Sequence, residues 1–331
     1  MANNKAIQTT KNGLTIAIVA LGDRRGVAGS VRQEVHDGDT IAVRTAGNFG
    51  VRFLGVDAPE ISFQLPGSPT FTGIADPKFI KFLTDPFAAA YPPFDPPLHP
   101  KLKAHLRKGI GKDSALNHHR HALVAEQALE AEVLADLKTL KKSEVDFRFF
   151  LAFATEVVDR YGRLLGYIHP DQPQATKANR LPSYQERLLV DAIVRPYFIW
   201  PNVNPYRKQT SLKAAVPKPG QAKREADAEQ TFRGARLKVA RARRDQKGTY
   251  IKGDSLKLEP FEVRYLSRTS TKGTKLFRRP PDRWVIDLNS AGTTLIHPQH
   301  YHTVPNPEDR LFVPDDYTDL FVKAGWTLGK L

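Results

Sequence analysis

The stretch between residues 31 and 60 alternates apolar runs with turn residues, and it restricts the possible folds more than any other part of the chain. Residues 31–35, 40–44 and 51–56 have the apolar, β-branched composition of strands, and Asp-Gly and Ala-Gly-Asn sequences separate them. Carboxylates lie at the ends of these segments, and an arginine lies inside the last one. The stretch therefore predicts three β-strands that carry a cluster of ionisable side chains.

Two aspartates of this stretch, Asp37 and Asp39, are two residues apart, so an extended backbone projects both from the same side. Farther along, Pro59 disfavours a helical conformation at Ala58 and turns the chain, which brings Glu60 back towards the end of the strand. Carboxylate and backbone carbonyl oxygens suit calcium or magnesium better than zinc. These residues therefore predict a site for a hard divalent cation.

Two arginines complete the predicted site. Arg52 lies on an apolar strand five residues before Asp57, and an arginine in such a strand needs an anion to offset the cost of burial. Arg163 ends a second motif, Asp-Arg-Tyr-Gly-Arg at 159–163, in which the glycine allows a sharp turn. Planar guanidinium groups bind phosphate oxygens through paired hydrogen bonds, so the two arginines predict a phosphodiester site.

Composition narrows the classes of partner and chemistry. The chain has 331 residues, a formal net charge of +15 and no cysteine. The positive charge favours a polyanionic partner, and the lack of cysteine excludes disulfides, zinc–thiolate sites and thiol catalysis. The apolar run at 14–22 is too short to span a bilayer, and no clear signal-peptidase site follows it. We therefore expect no membrane partner and favour a cytoplasmic protein, with secretion as the alternative.

Residues 61–100 interrupt this pattern with nine of the 25 prolines of the chain, so the region cannot be one continuous helix or a central strand. Aromatic residues are spread through the same region: Phe63, Phe71, Phe79, Phe82, Phe87, Tyr91 and Phe94. This composition predicts an ordered insertion that packs on the core rather than a disordered linker.

Apolar periodicity predicts the remaining elements. Spacings of three and four residues indicate helices at about 114–141, 184–193 and 222–246. Predicted strands lie at 144–158, 164–168, 258–266, 284–288 and 293–296. One face of the third helix is either solvated or follows a nucleic-acid backbone, and it carries Arg233, Arg236, Arg241, Arg243 and Arg244.

Two groups of histidines could suggest zinc. The histidines within 118–121 fall at the start of the first long helix, and those within 297–302 surround a proline. Neither group has a further ligand close by in the sequence. We therefore predict a solvated helix start and a loop, respectively, in preference to metal sites.

Taken together, the motifs resemble those of the staphylococcal nuclease (thermonuclease) family. The shared features, in the same order, are an Asp-Gly-Asp-Thr strand at 37–40, an Arg-x-x-x-x-Asp-Ala-Pro-Glu strand and turn at 52–60, and the Asp-x-Tyr-Gly-Arg turn at 159–163. The resemblance implies an α+β fold with a five-stranded OB-fold β-barrel and packed helices. It also implies calcium-dependent hydrolysis of phosphodiester bonds in DNA and RNA, with magnesium as the alternative cation, and products that carry 3′-phosphates.

The resemblance also divides the chain. It implies an N-terminal extension at 1–24 and a nuclease-like domain at 25–250 that contains a long Pro-rich and helical insertion at 61–113. A C-terminal, β-rich extension follows at 251–331. Neither the insertion nor the C-terminal extension is explained by the resemblance, and the insertion begins directly after Glu60, where it could narrow a groove.

Carried over to this sequence, the resemblance implies that Asp39, Asp57 and the Ala58 carbonyl bind the metal. Asp37 would support the metal site without binding the metal directly. Glu60 would orient or deprotonate the water that attacks phosphorus. The position after Asp57 is alanine where the family often has threonine, but ligation by the main chain does not depend on that side chain.

The resemblance assigns the phosphate and the nucleotide to other residues. Arg52 and Arg163 would bind the phosphate and stabilise the negative charge of the transition state. Tyr161 and Arg160 would contact the nucleotide. Glu186 lies in a sequence that resembles the family's Asn-Glu-x-Leu helix, and it would be structural, tying its helix to a neighbouring loop.

Other functions remain compatible with the sequence. A barrel of this kind can bind single-stranded nucleic acid without chemistry, so a non-catalytic nucleic-acid-binding module is the alternative. The unexplained segments would also suit a protein-interaction scaffold. The sequence leaves open the preference between DNA and RNA, endonucleolytic or exonucleolytic action, the oligomeric state and the biological role.

Overall fold

The computed structural model describes residues 7–9, 15–22, 30–44, 48–68, 70–159, 163–176, 179–204, 209–268 and 283–331. The strands in these residues are β1 (Ile7–Thr9), β2 (Thr15–Leu21), β3 (Val35–Asp37), β4 (Thr40–Arg44), β5 (Asn48–Phe53), β6 (Gly55–Asp57), β7 (Ser62–Gln64), β8 (Phe71–Gly73), β9 (Arg148–Val158), β10 (Leu164–Pro170), β11 (Arg195–Ile199), β12 (Arg283–Asp287), β13 (Thr294–Leu295), β14 (Arg310–Pro314) and β15 (Thr327–Leu328). The helices are α1 (Val31–Glu34), α2 (Pro77–Thr84), α3 (Pro100–Arg107), α4 (Ser114–Thr139), α5 (Tyr184–Val190), α6 (Leu212–Ala215), α7 (Ala222–Ala228), α8 (Gln230–Arg244), α9 (Pro260–Arg268) and α10 (Thr318–Lys323).

Five strands close into a barrel that is compatible with the OB-fold. Around the barrel, β2 pairs with β9, β9 with β10, β10 with β5, β5 with β4, and β4 again with β2. The β10–β5 pair is parallel, with Leu164 opposite Val51, and the other four pairs are antiparallel. The predicted fold class is thereby confirmed: a five-stranded barrel with packed helices and C-terminal strands.

Alternation along β9 fills the barrel, because strand residues two apart share a face. Phe149, Leu151 and Phe153 are all fully buried in the barrel core. Gly166 of β10 lies so close to β9 that a Cβ atom there would be 2.5 Å from the Leu151 side chain. The close contact between these two strands therefore requires glycine.

Helix α5 is fastened to the barrel by the side chain of Gln185. Its Nε2 donates to the Gly166 carbonyl at 2.7 Å, and its Oε1 accepts the Ile168 amide at 3.2 Å. Arg187 of the same helix donates to both carboxylate oxygens of Asp136 in α4, at 3.0 and 2.5 Å. These contacts place α5 between the barrel and α4.

The insertion at 61–113 is ordered, as predicted, and it shares a core with the C-terminal segment. Phe63, Phe79 and Phe82 are fully buried in this second core, whereas Phe71 is exposed. The second core also contains residues of α9, β12 and β14. A four-stranded sheet in the order β12-β14-β11-β6 connects the C-terminal strands to the strand that carries Asp57.

Two predicted strands are helical in the structure. Residues 31–34 form the helical turn α1, and residues 260–268 form α9 instead of the strand predicted at 258–266. Short apolar runs do not distinguish a buried strand from a buried helix by periodicity. Pro260 opens α9 at a helical position that needs no amide donor. The predicted strands at 284–288 and 293–296 are confirmed by β12 and β13.

The predicted helices are present with some changes. Helix α4 agrees with the prediction at 114–141, and the predicted helix at 222–246 is divided into α7 and α8. Glu229 lies at the division, and its carboxylate accepts the amides of Thr231 and Phe232 at the start of α8. None of the helices in the described part of the chain combines the length and the apolar character needed to cross a bilayer.

The strand pairings bear on the predicted domain limits. Strand β2 belongs to the barrel but lies in the segment that we assigned to an N-terminal extension. Strands β11 and β14, on either side of residue 250, pair directly. The boundaries at residues 24 and 250 stay a prediction.

Replacing Gln185 with leucine is expected to lower the free energy of unfolding by about 1–3 kcal/mol, because the buried Ile168 amide loses its acceptor. Urea denaturation measures this loss. The matched control is Val190→Ala at the exposed end of the same helix, with an expected effect within about 0.5 kcal/mol. Equal denaturation midpoints for the Gln185 variant and the original chain would contradict the proposed fastening of α5.

Candidate functional site

The Asp-Gly-Asp turn between β3 and β4 is held tightly against α4. A Cβ atom at Gly38 would lie 2.4 Å from the Cβ of Ala125, so a larger residue cannot occupy the turn without displacing the helix. The carboxylate of Asp37 accepts the Asp39 amide at 3.2 Å. Asp37 therefore fixes the backbone from which Asp39 projects.

Asp39 is fully buried, and each of its oxygens has a partner. Oδ1 accepts the Thr40 hydroxyl at 3.1 Å, and Oδ2 accepts the Ala58 amide at 2.9 Å. Oδ2 also lies 3.0 Å from Nη2 of Arg52. Burial raises the pKa of Asp39 to about 7, and the positive charge of Arg52 opposes this change only in part.

Arg52 projects from β5 on the face opposite to the buried Val51 and Phe53, and it bridges two aspartates. The same Nη2 atom that contacts Asp39 lies 2.8 Å from Oδ1 of Asp57. Burial disfavours the charged guanidinium, but the two carboxylates outweigh this effect and raise the pKa of Arg52. The arginine predicted to need an anion thus has two carboxylates as partners.

A third part of the chain, helix α9, reaches the same carboxylates, although no sequence motif links it to the site. Nη2 of Arg264 in α9 lies 2.7 Å from Oδ1 and 2.6 Å from Oδ2 of Asp57. Its Nη1 lies 2.7 Å from Oε1 of Glu60. The arginine was missed because residues 258–266 were interpreted as a strand of an unexplained extension. Pro260, at the first position of α9, is the sequence feature that would have indicated a helix here.

This arrangement does not fit a divalent cation. Oxygen donors such as Asp39 and Asp57 suit calcium in kind, but both oxygens of Asp57 are already bound by a guanidinium nitrogen. Among the described residues, no three or more acidic or histidine side chains are placed to share a metal ion. For Ala58, the contact that we find is made by its amide. The calcium requirement and the ligand roles stay a prediction.

Arg163 lies on the same barrel surface as Arg52. Its Nε donates to Oδ2 of Asp159 at 2.8 Å, and its amide donates to Oδ1 at 3.0 Å. A Cβ atom at Gly50 would lie 3.3 Å from the Cγ of Arg163, so the arginine stem covers this glycine. Because Gly50 and Arg52 are two residues apart on β5, the two arginines lie on one face of that strand.

The remaining predicted site residues lie elsewhere or cannot be placed. Tyr161 and Arg160 fall outside the described residues, so their predicted nucleotide contacts stay a prediction. Glu186 of α5 forms an ion pair with Lys238 of α8, and both side chains are partly exposed. The predicted tie to a loop is thus replaced by a tie to a helix, which is still a structural role.

His118 is a second residue near the site whose position differs from the sequence-based expectation. The predicted solvated helix start is wrong for His118 and His121, because both side chains are buried. Nε2 of His118 accepts the Glu60 amide at 3.3 Å. Burial lowers the pKa of His118 to about 3, so the ring stays neutral and keeps this acceptor at ordinary pH. His118 therefore helps to hold the backbone of Glu60.

The arginines of α8 fall into two groups, those that form ion pairs with the C-terminal segment and those that are exposed. Arg236 is buried and donates to Asp227 and Asp309, each at 2.9 Å, and Arg243 pairs with Glu308 at 2.8 Å. These two arginines fasten the C-terminal segment. Others on the helix are exposed, among them Arg241. The exposed arginine face of α8 is therefore smaller than the sequence pattern indicated.

Comparison of the chain with protein-family models gives no match, and comparison with curated proteins gives no significant match.

The buried, neutral His118 makes a specific contribution to pH dependence. An unfolded chain takes up a proton at this histidine near pH 6.5, whereas the folded chain does so only near pH 3. The stability associated with neutral His118 is therefore complete above about pH 6.5 and is lost as the pH falls, by roughly 1.4 kcal/mol per unit.

We expect His118→Gln to make the decrease in the free energy of unfolding between pH 6.5 and 4.5 shallower by about 1 kcal/mol per unit. Urea denaturation at a series of pH values provides the measurement. His36 is exposed, and His36→Gln is the matched control, for which we expect the original slope. A His118 variant with an unchanged slope would show that the imidazole is accessible to protons in the folded protein.

Proposed function

We propose that this chain hydrolyses phosphodiester bonds of DNA or RNA at the surface formed by Arg52, Glu60 and Arg163. The observation that carries the proposal is the position of these residues on, or directly after, two adjacent strands. Arg52 and Arg163 lie on one face of β5, and Glu60 follows the β6 strand that carries a carboxylate partner of Arg52. The order and types of the motif residues, which resemble those of the staphylococcal nuclease family, support the same reaction.

The two arginines are suited to a bound phosphate. Each guanidinium can donate paired hydrogen bonds to non-bridging oxygens, and such donors stabilise the additional negative charge of a five-coordinate phosphorus. Arg52 is held by Asp39 and Asp57 at 2.8–3.0 Å, so a phosphate would compete with these carboxylates for the same nitrogen. The net charge of +15 supports electrostatic attraction of a polyanionic strand.

Glu60 is suited to hold the attacking water. Its side chain is about one-sixth exposed, and its backbone amide is held by His118, so the carboxylate is fixed beside the arginine surface but remains accessible. In the proposed reaction Glu60 accepts a proton from the water as the new oxygen–phosphorus bond forms. The family resemblance supports departure of the 5′-oxygen, which would leave 3′-phosphate ends.

The second candidate is a nucleic-acid-binding module without catalysis. One observation favours it: Arg52 and Glu60 are both engaged by internal partners of opposite charge, namely Asp57 and Arg264. A site in which these ion pairs persist would bind a strand through its surrounding basic surface and leave the phosphodiester intact. Binding without cleavage under all conditions would select this candidate.

Removing one of the proposed groups is expected to lower the rate of hydrolysis about 100- to 1,000-fold, because each acts in the transition state. The variants are Arg52→Ala, Glu60→Gln and Arg163→Ala. Cleavage of end-labelled single-stranded DNA and RNA is measured with calcium, with magnesium and with a chelator. The chemical nature of the product ends is determined in parallel.

The matched control is Arg241→Ala, which removes an exposed arginine of α8 that takes no part in the charged cluster. We expect it to retain the rate within about threefold, a difference of less than 1 kcal/mol in the activation free energy. Near-normal turnover in a folded Arg52, Glu60 or Arg163 variant would refute the role of that residue. No cleavage by the original chain, with binding retained, would refute the enzyme.

A further inference from the structure

Arg264 is held in place by the helix that carries it. In α9, Val263 and Leu266 are buried in the second core, between the insertion and the C-terminal segment. Just before the helix, Glu259 pairs with Arg195 of β11 through two contacts of 2.5 and 2.8 Å. The position of Arg264 therefore follows from the packing of a whole helix.

A second set of contacts fixes the first turn of the same helix. The carboxylate of Glu262 is buried, lies 2.9 Å from Nε2 of His105, and accepts the hydroxyl of Tyr301. It also accepts the Glu259 amide at 2.8 Å. Through Glu262, two residues before Arg264, helix α9 is thus attached to α3 and to Tyr301.

The guanidinium of Arg264 occupies the position that a metal bound by Asp57 would need. Its Nη2 lies 2.6–2.7 Å from both oxygens of Asp57, and calcium would lie 2.3–2.6 Å from the same oxygens. Its Nη1 binds Glu60 at 2.7 Å. A nitrogen and a metal ion cannot occupy one position, so the two cations exclude each other.

The charges of the cluster lead to the same conclusion. Three carboxylates, those of Asp39, Asp57 and Glu60, contact the guanidinium groups of Arg52 and Arg264, which leaves one net negative charge when all are ionised. Without Arg264, Asp57 would share the single guanidinium of Arg52 with Asp39, and Glu60 would lose its contact with Arg264, which is costly for carboxylates that are largely buried. A divalent ion would supply that missing charge.

We infer that Arg264 is the built-in cation of this site. It takes the place of a divalent ion between Asp57 and Glu60, so the original chain does not bind calcium there. In a chain without this guanidinium, the two carboxylates bind calcium with water as the remaining ligands. The inference deepens the proposed function, because any hydrolysis at this site would then proceed without added metal. Cation binding itself is measured without a substrate, so the two can fail separately.

The experiment measures calcium binding to the folded chain by isothermal titration calorimetry, together with the shift of the thermal midpoint on adding calcium. The proteins compared are the original chain, Arg264→Ala, Arg264→Gln and the double variant Arg264→Ala with Asp57→Asn. Arg243→Ala is the matched control, because it removes an arginine that fastens the same C-terminal segment through Glu308 but lies outside the acidic cluster.

We expect the Arg264→Ala chain to bind one calcium ion at least about 10-fold more tightly than the original chain. The dissociation constant should lie within the broad range found for protein calcium sites with oxygen ligands. Calcium should raise its thermal midpoint, because a ligand that binds only the folded state stabilises it. The double variant should lose this binding, and the Arg243→Ala control should behave like the original chain.

Three results would overturn the inference. One is calcium binding by the original chain that is lost on Asp57→Asn. Another is the absence of calcium binding in folded Arg264→Ala and Arg264→Gln. The third is an equal gain of binding in Arg243→Ala, which would attribute the effect to loosening of the C-terminal segment. If Arg264→Ala does not fold, Arg264→Gln and the original chain still decide the question, since glutamine is neutral but keeps a polar side chain with three methylene or carbonyl carbons.

The hydrolysis assay separates this inference from the proposed function. Cleavage by the original chain in the presence of a chelator would support both the inferred role of Arg264 and the proposed nuclease activity. Cleavage that requires calcium would refute the inferred role of Arg264 but would support the proposed nuclease activity. With no cleavage under any condition, the nuclease fails, and the calorimetric result alone decides the role of Arg264.

Discussion

The structure depends on the ion pairs of one buried carboxylate. Asp57 ends β6, the strand directly after barrel strand β5, with about 1% of its side chain exposed, and it contacts both Arg52 and Arg264. A buried carboxylate requires such partners, and removing one partner of a buried pair typically costs about 3–5 kcal/mol. Because the two guanidinium groups come from β5 and α9, this one side chain joins the barrel to the C-terminal segment.

The C-terminal segment is accordingly part of the framework that shapes the site. It shares a core with the insertion at 61–113, and its strand β14 pairs with β11, which in turn pairs with β6. Any effect of the insertion on the site is thus exerted together with α9. The two segments that the family resemblance left unexplained share the second core, and α9 of this core supplies a cation to the acidic cluster.

Local signals predicted individual strands and most of the clustered side chains, whereas the barrel was implied by the family resemblance. Pairing of Thr40 with Arg52 between β4 and β5 brings Asp39 beside Arg52, and Asp57 follows Arg52 by five residues at the end of β6. The prediction failed at 258–266, where apolar residues of a buried helix resemble those of a strand. It also failed at His118, because a ring that packs against Phe63 and accepts the Glu60 amide differs from a solvated one only through tertiary contacts.

By itself, the sequence determined which side chains form the acidic cluster and the arginine surface, since residue type, alternation and turn chemistry act over a few positions. Only the tertiary structure decided which cation the cluster holds. Arg264 is 204 residues beyond Glu60, and no local pattern relates the two. Their contact exists because α9 packs into the second core in one orientation, which places the guanidinium of Arg264 beside Asp57 and Glu60. The ion pairs form there because a buried carboxylate is costly without a cation.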